Sequence, residues 1–93
     1  MRVISRKPID DFVTSHPNAE QPLLAWFREA KAAHWKTPQD IKTRYASASF
    51  LPDNTVIFNI KGNHYRLTTR VAYNTGIVYI VSIQTHADYD KKK

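Results

Sequence analysis

The hydrophobic period changes once along this chain, and that change constrains the fold more than any other feature. In the first half, apolar side chains recur at three- and four-residue intervals; from Thr55 onward they alternate at every second residue. A helical half followed by a strand-rich half predicts an α+β architecture, with helices packed on one face of a small antiparallel sheet.

Within that frame, Arg2-Val3-Ile4 predicts a short first strand. Pro8 to Val13 opens a helix, with proline in the tolerated first turn and acidic residues facing the dipole, until Pro17 stops it. Asn18 then caps a second helix running to about His34, in which Leu23, Phe27 and Ala30, flanked by Leu24 and Trp26, form the core-facing stripe. Trp35 to Tyr45 predicts a short connecting helix capped near Thr37. Residues 46–54 carry no periodic signal and are expected to be a loop.

In the alternating half, Val56, Phe58 and Ile60 oppose Ile57, Asn59 and Lys61, so Lys61 is expected on a strand. After a turn at Gly62-Asn63, Tyr65, Leu67, Thr69, Val71 and Tyr73 face one way, and His64, Arg66, Thr68, Arg70 and Ala72 the other. A second turn at Asn74-Thr75-Gly76 leads into a last strand. There Ile77, Tyr79, Val81 and Ile83 oppose Val78, Ile80, Ser82 and Gln84. Because its first half is apolar on both sides, this strand is expected at the centre of the sheet. With no repeat or linker in view, residues 1–93 are expected to form one domain.

Fourteen Lys and Arg against eight Asp and Glu give a formal charge of +6. The chain stays basic without the terminal Lys91-Lys92-Lys93 run. Such a balance suits a polyanionic partner, whether RNA, DNA or an acidic protein segment. The sequence contains no cysteine, which removes thiolate zinc sites and cysteine nucleophiles and fits a reducing, cytoplasmic setting. No apolar run approaches a membrane span or a signal-peptide core, so no membrane partner is expected.

The chemistry concentrates in the last third. Lys61, Arg66 and Arg70 place cations on a polar sheet face, and the chain then presents Thr85-His86-Ala87-Asp88-Tyr89-Asp90. Cleaving RNA without a metal requires the 2′-hydroxyl to lose a proton, the departing 5′-oxygen to gain one, and cations to hold the phosphorane between them. An imidazole serves as acid or base near neutrality, which makes His86 the candidate for proton transfer. Arg66 has a planar fork suited to two phosphate oxygens. Lys61 supplies a point charge, and Tyr89 a phenol able to stack on a base or position the 2′-hydroxyl. His16, His34, His64 and His86 lack metal-ligand spacing, and no phosphate loop or dinucleotide fingerprint occurs, so neither a metal nor a cofactor is expected.

Two stretches, Phe58-Asn59-Ile60-Lys61-Gly62-Asn63-His64-Tyr65-Arg66-Leu67 and Thr85-His86-Ala87-Asp88-Tyr89-Asp90, resemble the HigB toxins of bacterial type II toxin-antitoxin modules. The resemblance extends to Trp35-Lys36-Thr37-Pro38 with Asp40-Ile41-Lys42. It implies a RelE-like fold and a metal-independent endoribonuclease that cuts messenger RNA, in most relatives in the ribosomal A site. It also implies a HigA-type helix-turn-helix antitoxin as partner, assembled with the toxin as a heterotetramer bound to operator DNA through the antitoxin. Carried over by position, Lys61, Arg66, His86 and Tyr89 become the catalytic set. Asn59, Asn63, His64, Arg70, Lys36 and Lys42 are then expected along the RNA. Asp88 stands where relatives commonly carry glutamate. The competing expectation is a basic RNA- or ribosome-binding module without turnover, which would have no use for His86 paired with Tyr89.

Overall fold

The computed structural model describes residues 1–87. Strand β1 (Arg2–Ile4) leads into helix α1 (Lys7–Ser15), a 3-10 turn at Pro17–Ala19, helix α2 (Glu20–Ala32) and helix α3 (Pro38–Arg44). Strands β2 (Ser49–Leu51), β3 (Thr55–Ile60), β4 (Tyr65–Ala72) and β5 (Ile77–Thr85) complete one sheet in the order β1-β5-β4-β3-β2. Pairing is antiparallel from β2 through β5, while β1 lies parallel to β5 over Ile77–Tyr79 and makes the sheet mixed. The α+β class expected from the sequence is the class observed.

The helices bury one stripe each. In α2, Leu23, Trp26 and Ala30 are buried, while Phe27 is half-covered, with the Arg6 guanidinium and the Lys31 ammonium 5.1 and 5.5 Å from its ring centre. Asn18 is not the α2 cap: the 3-10 turn carries it past that position, and Ala19 occupies the cap without a side-chain hydrogen bond. Helix α3 is capped at Thr37, as expected, in a capping box. The Thr37 hydroxyl accepts from the Asp40 amide, and the Asp40 carboxylate accepts from the amides of Thr37 and Lys36. Those amides, Lys36 first, hold the Asp40 carboxyl below its usual range.

Phe58 is the fully buried hub of the core, with the rings of Tyr45, Trp26 and Trp35 at 5.1, 5.3 and 5.9 Å. Ile9 from α1, Ile41 from α3, and Leu67, Val71, Val78 and Ile80 from β4 and β5 close around it.

Three expectations are corrected by the sheet. The stretch 46–54 contains β2, too short to show a period and formed by pairing Ser49 to Leu51 with β3. The central strand is β4, not β5, because β1 covers only three residues of β5 and leaves the rest at an edge. Finally, β5 does not alternate throughout. Thr68 pairs with Ser82 and Thr69 with Ile80, so Val81 bulges and Ile83 turns back to the core side, opposite Leu67.

Candidate active site

The β3–β4 hairpin positions the first two groups. Asn59 and Arg66 are direct cross-strand partners, so their side chains leave the same face, the one opposite the helices. Asn59 Oδ1 accepts from Arg66 Nη1 at 2.5 Å, and Asn59 Nδ2 donates to the Ser47 carbonyl at 3.0 Å. Both ends of the amide are therefore engaged. Asn59, expected along the RNA, ties the guanidinium to the backbone just before β2.

Strand β5 brings the third group. Thr85 pairs with Tyr65, and the His86 amide then donates to the His64 carbonyl at 2.9 Å, which continues the ladder by one more pair. That pairing puts His86 in phase with Arg66, and Arg66 Nη2 lies 3.1 Å from His86 Nδ1. A guanidinium can only donate, so Nδ1 is the acceptor and the proton of the neutral ring resides on Nε2. Both Arg66 and His86 are half-buried. The result is a chain of contacts, Ser47 carbonyl to Asn59 to Arg66 to His86, at one end of the open sheet face.

Lys61 is not on the strand. It opens the hairpin turn with φ 54°, followed by Gly62 at φ 64°, and the His64 amide closes the turn on the Lys61 carbonyl at 3.2 Å. The side chain is exposed on the rim of a cleft of about 190 Å³ shared with Asn59, Glu29, Arg44 and Tyr45. Inside that cleft, Arg44 and the Tyr45 hydroxyl both donate to the Glu29 carboxylate. The Tyr45 hydroxyl first, and then Arg44, hold the Glu29 carboxyl below its usual range. Burial, reinforced by Glu29, pushes the Tyr45 phenol well above its ordinary value. Nothing in the sequence pattern signals this network, because Glu29 lies in α2 while Tyr45 ends α3, 16 positions on.

The other expected residues divide. Asn63 and His64 lie exposed in the hairpin turn beside the site. Arg70 shares the open face with Arg66 but lies four residues further along β4. Lys42 is drawn aside, its ammonium 5.9 Å from the Phe50 ring centre. Lys36 does not join the site: it lines a hollow with Met1, Arg2 and Gly76, at the opposite end of the sheet. Tyr89 and Asp88 lie outside the described residues.

Comparison with known proteins follows the same outline. Residues 19–92 match the model of the HigB toxin family, the RelE-like toxic component of a toxin-antitoxin system. The chain is 26% identical over 92 residues to a protein named mRNA interferase toxin HigB from Escherichia coli strain K12, covering 97% of this chain and 88% of that one. A protein named mRNA interferase HigB from Shigella flexneri matches to the same extent. Another of that name, from Escherichia coli O6:H1, is 23% identical over 93 residues, covering 98% and 90% of the two chains.

Proposed function

Because the chain belongs to the HigB family of RelE-like toxins, the toxic component of a toxin-antitoxin system, we propose that it is an mRNA interferase, an endoribonuclease centred on Arg66 and His86. The observation that carries this reading is the fixed guanidinium–imidazole pair, 3.1 Å apart on the open sheet face. A phosphate diester entering there offers Arg66 a charged acceptor in place of the neutral His86 Nδ1. The same exchange releases the imidazole for proton transfer.

The 2′-oxygen then attacks phosphorus and the bond to the 5′-oxygen breaks, leaving a 2′,3′-cyclic phosphate on one fragment and a 5′-hydroxyl on the other. One proton leaves the 2′-hydroxyl and one reaches the departing oxygen, with His86 as the imidazole in this exchange and Tyr89 as the candidate second group. Arg66 stabilises the phosphorane, and Lys61, on its turn, adds a point charge. Asn59 is the positioning residue that keeps the guanidinium aimed. In this reading the message is cut on translating ribosomes in the bacterial cytoplasm. A HigA-type antitoxin silences the toxin in a heterotetramer that binds operator DNA through the antitoxin.

The test maps message ends produced by the purified chain on translating ribosomes, beside the same message free in EDTA. Arg66→Ala is expected to lower the rate about 10²- to 10³-fold, and His86→Ala about 10²- to 10⁴-fold. Asn59→Ala is expected to lose less, about tenfold, since a positioned group is loosened and not removed. Cyclic-phosphate ends on ribosomal message that disappear in the first two variants support the reading. Folded wild-type protein that cuts neither RNA overturns it in favour of a binding module without turnover.

A further inference from the structure

The open face does not end at Arg66. Four residues along β4, about 13 Å away at roughly 3.3 Å per residue, Arg70 emerges on the same side and is paired directly across the ladder with Tyr79 of β5. Tyr79 is 43% exposed, one of three large hydrophobic side chains left in solvent among the described residues. Among the described residues Arg70 makes no ion pair. Both line an open depression of about 610 Å³ whose rim is set by Asp53 and Asn54. That rim is fixed, because the Val71 amide donates to the Asn54 carbonyl at 2.9 Å.

An exposed ring beside a cation, on a sheet face that leads to a phosphate-holding arginine, has the composition of a single-strand RNA platform. Bases stack on aromatic rings whatever their identity, and arginine takes the backbone between them. We infer that Arg70 and Tyr79 form a second RNA subsite, in which Tyr79 stacks on a base and Arg70 holds a phosphate, one or more nucleotides away from the bond cut at Arg66 and His86. This inference rests on the reading of the chain as a ribonuclease and adds a direction to it: the substrate runs along β4, from the hairpin end toward the Asp53-Asn54 turn. It also gives Tyr79 a use that core packing does not.

The experiment is a titration of the isotope-labelled full chain with fully 2′-O-methylated RNA, which has no 2′-hydroxyl to attack, followed by NMR. A dinucleotide and a hexanucleotide are compared. The dinucleotide is expected to shift amides near Arg66 and His86 alone, and the hexanucleotide to shift those near Arg70 and Tyr79 as well. The hexanucleotide is expected to bind more tightly, and Tyr79→Ala to remove about tenfold of that affinity while Tyr79→Phe retains it. Arg70→Gln is expected to reduce the log–log salt slope by about 0.7. Unchanged amide spectra elsewhere in the chain certify the fold of each variant. If the hexanucleotide shifts only the Arg66 end, the subsite is overturned while the ribonuclease reading stands. If it shifts neither end at millimolar concentration, the subsite is overturned, and the ribonuclease reading stands or falls on the ribosomal cleavage assay alone. If Tyr79→Ala instead weakens capture by the antitoxin and leaves RNA binding intact, the face is a protein-docking surface and the RNA subsite is overturned.

Discussion

Arg66 was recognisable in the sequence because it alternates with apolar residues and stands 20 positions before a histidine that follows a strand. What fixes its guanidinium was not. The Asn59 partnership depends on the hairpin register, and the Ser47 carbonyl is a backbone group that no residue type announces. The same holds for Glu29 and Tyr45, whose contact spans 16 positions. That contact makes stability depend on pH at both ends of the scale. Glu29 is held below its ordinary value of 4.5, so its contribution is present above that pH and is lost as the carboxylate protonates below it. Tyr45 is raised above its ordinary value of 10.0, so its contribution is complete below pH 10 and is lost as the unfolded state alone releases the phenolic proton above it. Urea midpoints are therefore expected to fall between pH 10 and 11 in the wild type. In Tyr45→Phe that alkaline loss is expected to be smaller, at the cost of a lower midpoint near neutrality. A wild-type alkaline slope no steeper than that of Tyr45→Phe would show that the contact does not form in solution.

Elements with many residues per period were legible, and those defined by one or two residues were not. Helix α3 could be placed because its start is written locally, in Thr37, Pro38 and Asp40. Strand β2 is three residues long and exists by pairing alone, and the bulge at Val81 shifts the inward-facing set of β5 by one, so that Ile83 follows Val78 and Ile80 to the core in place of Ser82. The β3–β4 turn is a similar case. Alternation carried Lys61 into the strand, yet the chain leaves the ladder at Ile60 and Lys61 adopts a left-handed conformation at φ 54°. That conformation costs a side chain with a Cβ roughly 1–2 kcal/mol, and less for asparagine. A lysine kept there against that preference suggests a stability cost accepted for its charge. Lys61→Asn is accordingly expected to raise the unfolding free energy by about 0.5 kcal/mol, read as a higher urea midpoint at unchanged slope, while cleavage slows. Gain of stability with undiminished cleavage would remove Lys61 from the phosphate site.

Across the whole molecule, β3 separates what holds the chain together from what it does. Phe58 faces the helices and gathers Trp26, Trp35 and Tyr45; Asn59, one residue on, faces away and holds Arg66. Because neighbouring strand residues point to opposite faces, stability and chemistry can be altered independently at adjacent positions. Phe58→Leu leaves a gap among three rings and is expected to cost about 1–2 kcal/mol, a substantial part of the few kcal/mol available to a domain of this size. At roughly 4–8 °C per kcal/mol, the melting temperature should fall by about 5–15 °C. Assayed well below that transition, the variant should cut RNA at the wild-type rate, since the Asn59–Arg66–His86 chain lies on the other face. Asn59→Ala should do the opposite, slowing cleavage with little change in melting. Should Phe58→Leu slow cleavage in the cold while its fold persists, the Arg66 guanidinium would depend on core packing through the backbone of β3, and the two faces would not be separable.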